Sequence, residues 1–254
     1  MRLAMRSRAF ALAVLTAVTL IGDRRAHAHV VLDGEIARPI LVDITRDLRE
    51  AQEGASEAAR LEALFLVGQR VDQLVELMNL DLLAHGRSLF GELLIRRLAD
   101  YGIRVVFIER NVRYAPDLAP FEEYLRRSPS GPRAADAKFR VITELFQRSA
   151  GRRADEIADG GLDELRDAVA RKEAFLRDHP GHDRARDVRF LLAMDYYRLF
   201  RNSTGTTTKK YEQLARRALQ QIVQEQPGSA EARSAETALE ALASERKSPG
   251  KPSP

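Results

Sequence analysis

Apolar residues recur every three or four positions along most of the chain, a spacing that places them on one face of a helix. This stripe predicts one long helix over Ser56–Leu83 and another over Ser88–Tyr101. Pro39 is expected to limit or kink an earlier helix that covers part of Ile40–Ala51. Almost everything between residues 34 and 243 is therefore predicted to be helical, and the predicted fold class is all-α.

One stretch departs from the helical pattern. Ile103–Tyr114 is rich in β-branched and aromatic residues, with Arg110 and Asn111 near its centre. Such a composition predicts either a short β-ribbon or an apolar linker between two helical parts. A two-stranded hairpin is marginal in water on its own, so either form must pack on the helices. Pro116 and Pro120 follow, and the predicted domain boundary lies there.

Three prolines further along the chain, Pro129, Pro180 and Pro227, share one local context. Each has apolar residues five and four positions before it, an alanine five positions after it and a small or slim residue eight positions after it. Proline ends one helix, and small residues let the next helix approach closely, so the pattern predicts stacked helical hairpins. In chain order these companion residues are Tyr124, Leu125, Ala134 and Ala137, then Phe175, Leu176, Ala185 and Val188, then Ile222, Val223, Ala232 and Ala235.

The run FEEYLRRSP, with KEAFLRDHP in the next unit, resembles the F-x-x-Y-L/F-x-x-x-P run of degenerate tetratricopeptide (TPR) repeats in periplasmic assembly proteins. The resemblance covers roughly residues 119 to 243. It implies a TPR-like α-α superhelix of stacked hairpins, preceded by a smaller helical region. The prolines are 51 and 47 residues apart, against a family period of about 34. Two inserted loops, Ser149–Gly161 and Asn202–Thr208, are predicted to account for much of the difference.

In the TPR family the helix after the proline lines a concave groove, so the resemblance implies a docking surface for a protein or peptide partner. Two repeats share Arg-x-x-Asp in this helix, although an ion pair between positions i and i+3 on a solvated face explains the same pattern. Tyr196 and Tyr197 are adjacent, so one is expected in the core and the other at the surface. The candidate partner-binding residues are Arg133, Asp136, Arg140, Arg184, Asp187 and Tyr197.

The N-terminus has the three parts of a secretory signal peptide. Three arginines lie within residues 1–8, a run of fourteen uncharged residues follows, and Ala26-His27-Ala28 supplies a small-x-small cleavage site. The uncharged run is shorter than the roughly 20 residues that span a membrane, which favours cleavage near Ala28 over retention as an anchor. The mature protein is therefore expected in the periplasm, without an integral membrane span. The predicted domains are a signal peptide (1–28), an N-terminal helical region (29–117), TPR-like repeats (118–243) and a disordered tail (244–254).

Composition argues against several classes of function. Removing residues 1–28 takes away five arginines and one aspartate, which leaves 36 basic and 36 acidic residues, so the charge does not support nucleic-acid binding. The absence of cysteine excludes thiol catalysis, disulfides and zinc–thiolate sites. The sequence has no phosphate-binding glycine loop and no G-x-S-x-G elbow. No cofactor or metal is expected, and His179 and His182 are interpreted as groups at a helix end.

The predicted function is non-catalytic: an exported helical-repeat protein that holds a protein or peptide partner in the cell envelope as a scaffold or adaptor. One alternative is an envelope enzyme with a site in the N-terminal half, around Asp81, His85, Glu92 and Glu109, whose geometry the sequence does not fix. Another alternative is a structural subunit that oligomerises through the apolar segment Val105–Ile108, where an exposed strand edge would pair with another chain.

Overall fold

A computed structural model describes residues 32–149 and 161–246 of the 254-residue chain. The predicted signal peptide, most of the predicted loop Ser149–Gly161 and residues 247–254 of the predicted tail lie outside these described residues. Within them there are nine helices and one two-stranded antiparallel sheet, which confirms the all-α class. The described residues fall into two compact units that divide between Glu144 and Leu145.

Three helices open the first unit, and a side-chain cap marks the start of each. Asp33, Ser56 and Ser88 accept hydrogen bonds from backbone N–H groups of the first turn, which have no partner inside a helix. The caps therefore fix where each helix begins. The helices are α1 (Gly34–Glu53), α2 (Glu57–His85) and α3 (Leu89–Asp100).

Two of these helices, α2 and α3, were predicted from the apolar stripes, and their observed ends lie within two residues of the predicted ones. The prediction for α1 was wrong about its start, because the helix begins before Pro39 and continues through it. A proline removes a single backbone donor from a helix. The cap at Asp33 and the buried side chains of Ala37, Ile40 and Ile44 hold the helix on both sides of the proline.

The segment that departs from the helical pattern forms a ribbon, one of the two forms that the sequence left open. β1 (Val106–Ile108) pairs antiparallel with β2 (Arg113–Ala115), and a turn of 3-10 helix, Glu109–Asn111, joins them. The side chain of Asn79 in α2 fixes the ribbon to the helices. Its Nδ2 donates to the carbonyl oxygen of Tyr114 at 3.0 Å, and its Oδ1 accepts from the Tyr114 N–H at 2.7 Å.

Two further helices follow the ribbon, α4 (Ala119–Arg127) and α5 (Ala134–Ser149). α4 packs on α2, where the ring of Phe121 lies edge-on to Phe65 at a centroid distance of 5.5 Å. Gly68 makes room for this ring, since a Cβ atom at that position would lie 2.7 Å from it. The hairpin around Pro129 therefore begins in the first unit, and the division between the units falls within α5, beyond the predicted boundary at residue 118.

Four helices of the second unit pack in chain order, each on the next. Pro180 lies in the turn before the second helix and Pro227 in the turn before the fourth, so both prolines join helices that pack together. The last helix continues past Ser244, so disorder from that residue was a wrong prediction. Ala238 and Leu242 are fully buried and hold the final turns in the unit. The helices are α6 (Leu162–Asp178), α7 (Ala185–Asn202), α8 (Thr206–Glu225) and α9 (Ala230–Arg246).

The connection between α7 and α8 is shorter than predicted. Only Ser203–Gly205 joins the helices, and Thr206, Thr207 and Thr208, the last three residues of the predicted loop Asn202–Thr208, form the first turn of α8. Gly205 has a φ of 66°, a conformation that glycine adopts without steric cost. The 18 and 20 residues of α7 and α8 together exceed the whole TPR period of about 34 residues. Long helices, and not an inserted loop, therefore separate Pro180 from Pro227. None of the described helices is long and apolar enough to cross a membrane.

Candidate functional site

The candidate residues before and within α5 contact α2 of the same unit. The guanidinium of Arg133 donates to Glu62 Oε1 from Nε at 3.1 Å and from Nη2 at 2.8 Å, and it lies over the ring of Phe65. Arg140 Nε is 3.7 Å from Asp72 Oδ2. Asp136 Oδ2 is 4.0 Å from Arg133, in the i,i+3 arrangement. The structure therefore uses these two arginines to fix the start of α5 to α2.

The second unit places Arg184 and Asp187 at an open depression of about 380 Å³, where the chain turns from α6 into α7. Arg184 Nη1 is 3.4 Å from Asp187 Oδ2, which is the i,i+3 ion pair that the sequence allowed. Arg186 also lines the depression, and its side chain is exposed. The post-proline helix of this unit thus brings its charged residues to a concave surface.

The charge of the depression is mixed. Arg189 Nε is 3.8 Å from Glu225 Oε2 of α8, so this guanidinium lies between the depression and the neighbouring helix. Burial raises the pKa of Asp187, Arg184 acts in the opposite direction, and Glu231 of α9 adds to the rise. Among the residues that line the depression, three are arginines (Arg184, Arg186 and Arg189) and two are aspartates (Asp183 and Asp187).

Both imidazoles of the α6–α7 turn pack on Phe175. The ring centroids of His179 and His182 lie 5.3 and 5.4 Å from that of Phe175. His182 Nδ1 accepts a hydrogen bond from the Arg184 N–H at 3.1 Å, just before α7 begins. Over residues 32–149 and 161–246 there is no group of three or more histidine, aspartate or glutamate residues that could hold a metal ion. The packing explains these two histidines as parts of the turn.

The tyrosine candidate is buried. Tyr196 and Tyr197 are 7% and 2% exposed, so the prediction that one of them lies at the surface was wrong, and Tyr197 offers nothing to a partner. α7 is covered by α6 on one side and by α8 on the other, which buries both tyrosines although they point in different directions. The Tyr196 hydroxyl donates to Glu173 Oε1 at 2.5 Å, and burial, followed by this contact, raises the pKa of Tyr196.

A buried ion pair is the feature that the sequence reasoning missed. Lys172 Nζ of α6 is 2.7 Å from Asp195 Oδ2 of α7, and each side chain is 1% exposed. Lys172 also donates to the carbonyl oxygen of Ala168 at 3.3 Å, and Asp195 Oδ1 accepts from Arg198 Nη1 at 3.1 Å. Asp195 is the only charge in the run FLLAMDYY, and an acid within an otherwise uncharged helical run is the signal that could have found it.

Only some of the residues named for the enzyme alternative lie close together. Asp81 is buried, and its Oδ1 is 3.0 Å from His85 Nδ1, while Ser88 Oγ is 3.4 Å from its Oδ2. Glu92 forms an ion pair with Arg87. Glu109 lies in the turn between β1 and β2. A carboxylate–imidazole pair is the grouping that the structure supports in this part of the first unit.

The segment of the oligomer alternative is exposed at one position. Val106 of β1 is 42% exposed, whereas Val105 is 6% exposed and belongs to the core of the first unit. Phe107 is half-buried and packs against the Tyr114 ring at a centroid distance of 5.3 Å. Most of this segment therefore packs within the first unit. Association of the protein through the segment stays a prediction.

Comparison with known proteins finds no match to this chain. No protein-family model matches the chain, no curated protein matches it, and no solved structure matches its fold. The likeness to TPR proteins therefore rests on the local runs around the prolines.

Proposed function

We propose that this protein is an exported, non-catalytic helical-repeat protein of TPR-like type that holds a protein or peptide partner in the periplasm. The proposed binding surface is the depression at the α6–α7 turn. The observation that carries the proposal is that Arg184 and Asp187, the Arg-x-x-Asp pair that follows Pro180, line this depression together with the exposed Arg186.

The arrangement of the helices supports a binding role. In helical-repeat proteins, stacked hairpins create extended surfaces on which side chains from successive helices select a partner. The helices from α6 to α9 pack in chain order, and the depression combines residues of the α6–α7 turn with the first turn of α7. A ligand there would contact one continuous stretch of charged side chains.

The chemistry of the depression favours a partner with acidic side chains. A guanidinium can donate two parallel hydrogen bonds to one carboxylate, which gives both affinity and orientation. Arg184 and Arg186 line the depression with exposed side chains, whereas Asp187 is half-buried. The exposed guanidinium groups of Arg184 and Arg186 would therefore contact the partner first, and the half-buried Asp187 would contribute to the orientation of the partner.

Site-specific photocrosslinking of the full exported chain in cells tests the proposal. A photoreactive amino acid replaces Arg186 in one variant and Arg217, an exposed residue of α8, in the control. Mass spectrometry then identifies the captured neighbours. We expect a defined protein adduct from position 186 at several times the yield from position 217. Equal yields from both positions, or adducts of small molecules alone from position 186, would contradict the proposal.

A further inference from the structure

One ring nitrogen at the depression lies within hydrogen-bond distance of both a donor and an acceptor. His182 Nδ1 is 3.1 Å from the backbone nitrogen of Arg184 and 2.9 Å from Asp183 Oδ1. The Arg184 N–H is a donor, so it pairs with this ring nitrogen only when the nitrogen carries no proton. The Asp183 carboxylate is an acceptor, so it pairs with the same nitrogen only when the nitrogen is protonated. The two hydrogen bonds therefore exclude each other.

Other contacts hold His182 in the α6–α7 turn whichever hydrogen bond its Nδ1 makes. The ring lies edge-on to Phe175 at a centroid distance of 5.4 Å, and 15% of the side chain is exposed. The backbone N–H of His182 donates to the carbonyl oxygen of His179 at 3.2 Å, and its own carbonyl oxygen accepts from the Ala185 N–H at 2.9 Å. A proton on Nδ1 therefore changes the partner of this nitrogen, while the turn keeps its packing and its backbone hydrogen bonds.

The proton also changes the charge of the depression, because His182 is one of the residues that line it. The unprotonated imidazole is neutral and accepts from the Arg184 N–H. The protonated imidazole is a cation next to the carboxylate of Asp183, so it compensates one of the two negative charges there. A carboxylate that approaches the arginines of the depression is then attracted more strongly, since the surroundings carry one more positive charge.

We propose that His182 is the pH sensor of the depression: its neutral form accepts from the Arg184 N–H, and its protonated form pairs with Asp183 and strengthens the binding of an acidic partner. Imidazole is the side chain whose charge ordinarily changes between about pH 5 and pH 8. The affinity for an acidic partner is therefore expected to rise as the pH falls through this range. The inference rests on the proposed function, because it concerns the regulation of binding at the same surface.

The other charged groups at the depression keep their charge in this pH range or change it in the same direction. Guanidinium groups remain protonated throughout. Burial raises the pKa of Asp187, so acidification also removes this negative charge and favours an acidic partner. Variants must therefore separate the contribution of His182 from that of its surroundings. These are Asp183, Arg184, Arg186, Asp187 and Arg189 of the turn and α7, His179 of the same turn, Glu225 of α8, and Glu231 of α9.

The test measures the affinity of the purified protein for a hexa-aspartate peptide at pH 5.5 and pH 8. Aspartate titrates near pH 4, so the peptide remains largely ionised at both values. His182→Asn is the decisive variant, because the oxygen of an asparagine can accept from the N–H two residues later, as Nδ1 does, and takes up no proton. His179→Asn is the matched control, since His179 packs on the same phenylalanine ring but does not line the depression.

Two measurements accompany the titration. Thermal unfolding followed by circular dichroism establishes that each variant is folded at both pH values. Nitrogen-15 NMR of the imidazoles shows which ring nitrogen carries a proton, and the signals that His182→Asn lacks belong to His182. We expect Nδ1 of His182 to be unprotonated at pH 8 and protonated at pH 5.5.

The affinity at pH 5.5 divided by that at pH 8 is expected to be about two- to fivefold larger in the original protein than in His182→Asn, the effect of one ion pair close to solvent. His179→Asn should keep the ratio of the original protein. An equal ratio in the original protein and His182→Asn, or a protonated Nδ1 at pH 8, would overturn the pH sensor and leave the proposed binding surface intact. No binding of the peptide at either pH would contradict the acidic partner, and the sensor with it.

Discussion

The two compact units bury their charges at different depths. In the first unit, Asp81 is paired with His85, whose side chain is 42% exposed, and Glu144 is paired with Arg113, whose side chain is 15% exposed. In the second unit, Lys172 and Asp195 are each 1% exposed, between two packed helices. The cationic partners in the first unit reach water. In the second unit Lys172 does not, although Arg198, the other partner of Asp195, is 18% exposed.

This difference determines what each charge contributes. Removing two charges from water costs several kcal/mol per ion, and a close partner offsets this cost only while both members are present. When one partner remains in contact with solvent, the free-energy cost of losing the other partner is lower, because water can replace part of the lost electrostatic interaction. We therefore expect the second unit to depend strongly on its ion pair and the first unit to tolerate similar changes better.

The largest effect is expected from Asp195→Leu. It leaves the ammonium group of Lys172 buried, with the carbonyl oxygen of Ala168 as its remaining acceptor among the contacts described above. We expect a loss of about 3 to 5 kcal/mol in the free energy of unfolding, as is typical when one member of a buried pair is removed. Urea unfolding followed by circular dichroism measures it. A loss below about 1 kcal/mol, the range of surface pairs, would show that the depth of burial does not govern the cost.

A smaller loss is expected from Arg113→Ala in the first unit. Arg113 donates two hydrogen bonds to Glu144, at 3.1 and 2.8 Å, and the carboxylate is 7% exposed. Charge-assisted hydrogen bonds of this kind suggest a loss of about 2 to 3 kcal/mol in urea unfolding. Arg126→Ala is the matched control, since its ion pair with Glu123 is exposed on α4 and should contribute less than about 1 kcal/mol. Equal losses in the two variants would contradict the comparison.

The stability of the first unit is also expected to depend on pH, because of Asp72. Burial raises the pKa of Asp72 to about 7, Glu144 and Glu76 add to the rise, and Arg140 and Arg113 oppose it. The folded state therefore holds a proton that the unfolded state releases near pH 4. Between about pH 4 and pH 7 this group makes the protein progressively less stable as the pH rises.

Asp72→Asn should remove this pH-dependent penalty. Each pKa unit corresponds to about 1.4 kcal/mol, but 19% of the side chain is exposed, so we expect a smaller gain of about 1 to 2 kcal/mol at pH 8. Urea unfolding at pH 5 and pH 8 gives the difference between the two proteins. A variant that gains no stability on going from pH 5 to pH 8 relative to the original protein would contradict the raised pKa.

The smallest effect is expected from the double variant Lys172→Met/Asp195→Leu. Replacing a buried ion pair with apolar side chains of similar volume is often neutral or stabilising. Arg198 keeps its hydrogen bonds to Ser149, whose carbonyl oxygen accepts at 2.7 Å. We therefore expect a change of about 1 kcal/mol or less in urea unfolding. A double variant as unstable as Asp195→Leu would show that the pair specifies the packing of α6 on α7.

Local sequence patterns predicted the positions of the helices well, but they predicted poorly which residues are buried between helices. The stripes and the serines at positions 56 and 88 determine where α2 and α3 begin, because the apolar face and the cap are both local. The burial of Tyr196 and Tyr197 was not predictable in this way, since it depends on α7 being covered from two sides. The contact of Lys172 with Asp195 joins two helices, and neither residue type is expected in a core.

Candidate site residues show the same limit. Arg184 and Asp187 lie at the depression because the turn after Pro180 and the start of α7 are adjacent in the sequence. Arg133 follows Pro129 by the same number of positions, yet its guanidinium contacts Glu62 of α2, a residue 71 positions away. The sequence identified similar motifs, and only the packing of the first unit distinguishes their roles.

The measurement that tests the central claim most directly is the affinity of the purified protein for the partner captured at position 186. Arg186→Glu reverses an exposed charge in the depression without removing any contact described above, and Arg217→Glu on α8 is the control. We expect at least a tenfold loss of affinity in Arg186→Glu, measured by isothermal titration calorimetry, and no change in the control. Equal affinity of both variants and the original protein would contradict the assignment of the depression as the binding surface.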